Sequence, residues 1–130
     1  MLSAVILAAG DSTRMGSPKA ALLTPDGATF VGRIVTTLRD AGVDDLVIGT
    51  GIHHDAVIES IARDRRSTTR CVRNPDPSRG QLSSLLTGMD IVVTPQTHAM
   101  VMTLVDVPLV RVSTVTAVID AWRRTRAPIV

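Results

Sequence analysis

Hydrophobic and polar positions follow two rhythms along this chain. Ser3 to Ala9 is a nearly continuous apolar run that stops at Gly10, the pattern of a strand buried on both faces. After a long loop and a turn at Thr24-Pro25-Asp26-Gly27, the period changes. Val31, Ile34, Val35 and Leu38 fall at i, i+3, i+4 and i+7, one face of a helix that Gly42 ends. Asp45 to Gly51 reads as a second strand, and Val57, Ile58, Ile61 and Ala62 mark a second helix. A short strand over Arg70 to Arg73 leads into the turn-rich NPDPSRG, and Gln81 to Val93 suits a third helix. His98 to Val105 is the most hydrophobic strand and runs into Asp106-Val107-Pro108. Val112, Val115, Val118, Ile119 and Trp122 stripe a last helix.

Strands alternating with helices across short joints predict an α/β fold. Parallel strands need crossovers, and the crossovers place helices on the sheet faces. The expected architecture is a Rossmann-like three-layer α/β/α sandwich around a mostly parallel sheet, a single domain over 1–130. Ala127 to Val130 reads as the start of another strand, so the domain is expected to continue and the chain to be truncated at its C-terminus.

Composition narrows the function. One Phe, one Trp and no Tyr leave no stacking platform for single-stranded nucleic acid, so nucleic acid is not expected as a partner. The formal charge is only +2; the arginines of Arg63 to Arg79 and Arg123 to Arg126 read as solvated helix ends before they read as phosphate sites. Cys71 is the single cysteine, which excludes an internal disulfide and suits a small strand residue in a reducing compartment. No run has the length of a membrane span, and the N-terminus lacks a signal-peptide layout, so a cytoplasmic location is expected.

Chemistry concentrates after the first strand, in LAAGDSTRMGSPK, Leu7 to Lys19. In an open parallel sheet, ligands sit beyond the carboxyl ends of the strands. Gly10 and Gly16 let backbone amides approach an anion, Ser12 and Thr13 add hydroxyls, and Arg14 and Lys19 add cations matched to phosphate. The dinucleotide fingerprint does not fit, because the glycines are six apart; nor does a Walker loop, because Ser17-Pro18 separates Gly16 from Lys19. Among thirteen arginines, Lys19 is the only lysine, which singles it out for a role needing a compact ammonium. Asp106 closes a very apolar strand, where a buried carboxylate requires a cation or hydrogen bonds and where a hard metal ion would be held. His53-His54 reads as loop or first-turn residues, since adjacent side chains rarely converge on one ion. His98 has no visible partner, and Met15, Met89, Met100 and Met102 read as core filler.

LAAGDSTRMGSPK resembles the signature loop, roughly LAAGxSxRMGxPK, of the MobA-like nucleotidyltransferases, most of all the molybdenum cofactor cytidylyltransferases. NPDPSRGQLSS (Asn74 to Ser84) and LVDVPL (Leu104 to Leu109) are similar to two later family segments in the same order. The resemblance implies a fold of the nucleotide-diphospho-sugar transferase type and transfer of CMP from CTP to a phosphorylated acceptor such as molybdopterin. It also implies a Mg²⁺ requirement. By position, Leu7, Ala8, Ala9, Gly10 and Ser12 would border the nucleotide. Arg14 and Lys19 would hold the triphosphate and serve catalysis, Gly80, Ser83 and Ser84 would border the nucleoside, and Asp106 would ligate the metal. Family members continue into a part with more sheet and a second metal-binding aspartate; Asp120, mid-helix, does not replace it. Sugar-phosphate nucleotidyltransferases share the opening loop and the DVPL segment, and a nucleotide-binding module without catalysis is the alternative from another class.

Overall fold

Ala4 and Ile6 point to one side of the first strand and Val5 and Leu7 to the other, and the whole fold is organised by burying both sets. The computed structural model describes residues 1–10, 18–62 and 69–130. The elements run β1 (Leu2–Ala8), α1 (Phe30–Asp40), β2 (Asp45–Thr50), α2 (His54–Ile61), β3 (Arg70–Arg73), α3 (Gln81–Val92), β4 (Ala99–Leu104) and α4 (Val112–Thr125). Two short 3₁₀ turns, Lys19–Ala21 and Pro77–Arg79, interrupt the loops. Each of these strands and helices was predicted, with its ends moved by a few residues at most, whereas Ala127 to Val130, read as the start of another strand, forms none.

The four strands form one sheet in the order β3-β2-β1-β4, with every pairing parallel. The register sets Val5 opposite Val47 and Met102. Ala4 and Ile6 pack with Val31, Ile34, Val35 and Leu38 of α1, Val57 of α2 and Val115 and Ile119 of α4. Val5, Leu7 and Val47 form a second cluster with Val92 of α3 and the flanking Leu85. Helices therefore cover both faces, giving three layers, and β1 in the middle is buried along its whole length.

Local chemistry sets the element ends. The Thr29 side chain accepts a hydrogen bond from Gly32 N at 3.1 Å and so caps α1, while Gly42, at φ 93°, supplies the left-handed turn into β2. Gly88 lets α3 lie close on the sheet: a Cβ there would sit 2.7 Å from Val5 Cγ1.

Three expectations need correction. β4, apolar enough to suggest deep burial, pairs with β1 alone among the described residues, and its side chains are at most half-buried. Met102 is accordingly 49% exposed and does not fill the core. His98 has a partner, the Met1 ammonium, whose nitrogen lies 2.6 Å from its Nδ1. Met89 and Met100 are half-buried, and Met15 lies outside the described residues. No helix among the described residues is long and apolar enough to cross a membrane.

Candidate functional site

Parallel strands bring all their carboxyl ends to one edge of the sheet. The chain winds outward from β1 through β2 to β3, then returns to lay β4 on the other side of β1. The connections thus part company between β1 and β4, and a crevice at such a switch point is where open α/β sheets hold ligands. A cleft lies there, with a floor of Leu7, Ala8, Ala9 and Gly10 and a far rim of Leu104, Val105 and Asp106.

Lys19 stands at this rim for a local reason. Pro18, at φ −58° and ψ 131°, leads into the 3₁₀ turn, which Ala21 N closes on Pro18 O at 3.0 Å. Ala20 is buried in the core and anchors the turn, leaving the neighbouring ammonium directed to the cleft. Lys19 Nζ lies 3.2 Å from Asp106 Oδ1. The two side chains are 39% and 48% exposed. Asp106 is therefore not the buried carboxylate that the apolar strand suggested: the buried Val105 still donates its N–H to Leu7 O at 3.0 Å, and the chain then turns, with Val107 N donating to Leu104 O at 3.3 Å. Its position beside Lys19 is as anticipated from the strand ends.

The opposite wall comes from the turn between β3 and α3. Gly80, at φ 92°, starts α3, and Gly80, Gln81 and Ser84 border the cleft. Asn74 organises this wall. Its backbone N–H donates to Thr50 O at 2.7 Å, and its Nδ2 donates to Ser83 Oγ and Ser84 Oγ, each at 2.9 Å. Ser83 also donates to Gly80 O at 2.8 Å, so it braces the turn, whereas Ser84 is both buried and cleft-lining. Gly51 sits under the same corner, where a Cβ would come within 2.9 Å of Ala9 O and 3.2 Å of Pro77 Cβ.

His53 and Val57 complete the wall beside Lys19. The two histidines divide in role. His54 Nδ1 meets the Thr50 hydroxyl, which in turn donates to Val72 O at 3.1 Å. His53 caps α2 through its carbonyl, which accepts from Val57 N at 3.1 Å, while its Nε2 is buried without a hydrogen-bond partner.

Structure thus gathers Leu7, Ala8, Ala9, Gly10, Lys19, Gly80, Ser84 and Asp106 around one cleft and sets Ser83 just behind it. Ser12, Arg14 and Gly16 lie outside the described residues. Asn74, Gly51 and His53 were missed by sequence reasoning. NPDP marks Asn74 as a turn residue, and its Oδ1 does accept from Asp76 N at 3.0 Å, yet nothing local foretells its reach to the serines.

A family model, the MobA-like NTP transferase domain, matches residues 4–130. The chain belongs to this family. Among solved structures, this MobA-like chain is similar to Rv0371c from Mycobacterium tuberculosis H37Rv, with a TM-score of 0.78 and 31% identity over 95% of this chain and 61% of that one. Rv0371c has also been solved in complex with manganese, there matching at a TM-score of 0.72 and 30% identity over 95% and 60%. A nucleotidyl transferase from Methanothermobacter thermautotroptrophicus matches at a TM-score of 0.75 and 27% identity over 92% and 57%. The chain therefore spans about 60% of the length of Rv0371c. No curated protein matches it in sequence.

The MobA-like cleft suits a divalent cation only as a shared ligand. Among the described residues no three His, Cys, Asp or Glu side chains gather into a metal site. Asp106 can supply one carboxylate, which fits a hard ion that keeps its waters and takes other oxygens from substrate phosphates. Several arginines are engaged locally: Arg123 pairs with Asp120 at 3.3 Å, Arg70 with Asp45 at 2.5 Å, and Arg126 stacks 4.4 Å over the Trp122 ring. Asp120 is 55% exposed and belongs to that surface pair on α4.

Proposed function

We propose that the protein is a nucleotidyltransferase that passes CMP from CTP to a phosphorylated acceptor of the molybdopterin type, releasing pyrophosphate. The observation that carries this reading is the 3.2 Å approach of Lys19 and Asp106 at the rim of the cleft between β1 and β4. A cation and a carboxylate on one rim form a divided electrostatic site. The ammonium takes phosphate oxygens, and the carboxylate takes the metal that those oxygens also bind.

In the reaction, an oxygen of the acceptor's terminal phosphate attacks the α-phosphorus of CTP, and the α–β bridging oxygen leaves with pyrophosphate. Transfer of this kind depends on position and charge neutralisation more than on a covalent catalyst. Lys19, with Arg14 of the preceding loop, would hold the departing pyrophosphate. Ser84 and the backbone of Ala8 to Gly10 would seat the nucleoside, and the start of α3 adds a positive dipole end near it. Mg²⁺ held by Asp106 would neutralise charge on the triphosphate. The Ala8-Ala9-Gly10 form favours cytosine, since the resemblance at these positions is to the cytidylyl branch.

Lys19→Ala is the test. In the protein assayed with CTP, Mg²⁺ and a molybdopterin acceptor, the substitution should lower turnover by about 10²–10³-fold, the loss typical of one transition-state donor. Unchanged turnover would remove Lys19 from the mechanism.

A further inference from the structure

We infer that His53 is an additional ligand-binding residue of the cleft, which donates from Nε2 to the pyrophosphate end of the bound nucleotide; this rests on the nucleotide-binding reading above. Among the described residues, His53 Nε2 is the one buried side-chain nitrogen or oxygen without a hydrogen-bond partner. The other polar side chains of the region are satisfied: Asn74 by two serines, Ser84 by Asn74, Thr50 by His54 and Val72 O. An unpaired buried imidazole nitrogen is uncommon in a native fold and calls for an explanation, of which a partner supplied from outside the chain is one.

Location selects that partner. His53 lines the cleft on the same side as Pro18, Lys19 and Ala20, and α2 packs against the turn that carries Lys19. Ala20 and Val57 join the same apolar cluster beneath it. Gly80, Gln81 and Ser84, the nucleoside wall, stand elsewhere around the cleft. A ligand oxygen held by the Lys19 ammonium is anionic, and an imidazole N–H set in low-dielectric surroundings makes a strong bond to an anionic oxygen. Either the Nε2–H tautomer or the imidazolium can donate there.

The test compares His53→Met and His53→Gln with the unaltered chain, using calorimetry for inorganic pyrophosphate and for cytidine, and thermal unfolding without ligand. His53→Met should weaken pyrophosphate about ten- to a hundredfold, as expected for losing a bond to a charged group, and leave cytidine unchanged. Without ligand the same variant should melt higher, by roughly 3 °C, because an unsatisfied buried nitrogen is gone. His53→Gln, whose amide nitrogen reaches where Nε2 lies, should keep pyrophosphate within a fewfold of the original. Full pyrophosphate affinity in His53→Met would overturn the inference while leaving the site intact, provided Lys19→Ala loses it. Equal losses of cytidine and pyrophosphate would overturn the phosphate assignment. A lower melting temperature in His53→Met, with no rescue by Gln, would make the residue structural. If the unaltered chain binds neither probe, the nucleotide reading falls and this inference with it.

Discussion

Asn74 illustrates how one buried amide can decide the shape of a wall. Its Nδ2 serves two hydroxyls, and the Ser84 side chain it reaches is only 2% exposed. Asn74→Ala removes both bonds and leaves Ser84 Oγ buried without a donor, which should cost about 2–4 kcal/mol in chemical denaturation. A loss below about 0.5 kcal/mol would mean that water replaces the amide. Residues such as Lys19 and Asp106 were legible because their types stand out against their surroundings: a lone lysine among arginines, a carboxylate after an apolar strand. Asn74 and His53 were not, since their meaning depends on contacts nine and ten residues away, or on a contact left unmade. Cys71 needed no such help. It is half-buried on β3, and burial pushes its thiol up to about 11, so it stays protonated as a quiet strand residue.

At the scale of elements, periodicity was sufficient for α1, α2 and α4, which each carry an apolar stripe, and for β1 and β2, which are apolar runs. It misled where burial depends on neighbours in the sheet, since β4 is as apolar as β1 yet has one described strand partner, and at Ala127 to Val130, which form no strand. The packing of α3 shows how element position reaches the cleft. Gly88→Ala would improve helix propensity by about 1 kcal/mol. It would also place a Cβ 2.7 Å from Val5 Cγ1 and 3.4 Å from Val47 Cγ1, on two fully buried strand residues with little room to yield. Overpacking of this kind costs about 1–3 kcal/mol, so the net change should be destabilising by about 1 kcal/mol, seen as a lower denaturation midpoint. Ser84 lies one turn before Gly88 on the same helix, so nucleoside affinity should fall as well. A stabilised variant with intact affinity would show that α3 shifts freely on the sheet.

The whole molecule assembles its site from distant parts of the chain: Lys19 follows β1, Asp106 follows β4, and only the parallel order β3-β2-β1-β4 makes them neighbours. That order explains why the pair was foreseeable in position, from strand ends alone, but not in environment. The surface turn after Leu104 leaves Asp106 in solvent, so its ion pair with Lys19 is half-exposed and contributes about 0–1 kcal/mol to folding. If the carboxylate is kept for a metal, stability and binding should separate. Asp106→Asn should leave the melting temperature of the ligand-free chain within about 2 °C of the original. In the unaltered chain, Mg²⁺ should tighten CTP and CTP should tighten Mg²⁺ by the same factor, as linkage requires. In Asp106→Asn that factor should approach one, while pyrophosphate measured without metal, freed from competition by the carboxylate for Lys19, should bind as well or better. Undiminished coupling in this variant would show that the metal is held by other groups, whereas a large drop in the melting temperature would make the pair a fastening of β4 to the loop after β1.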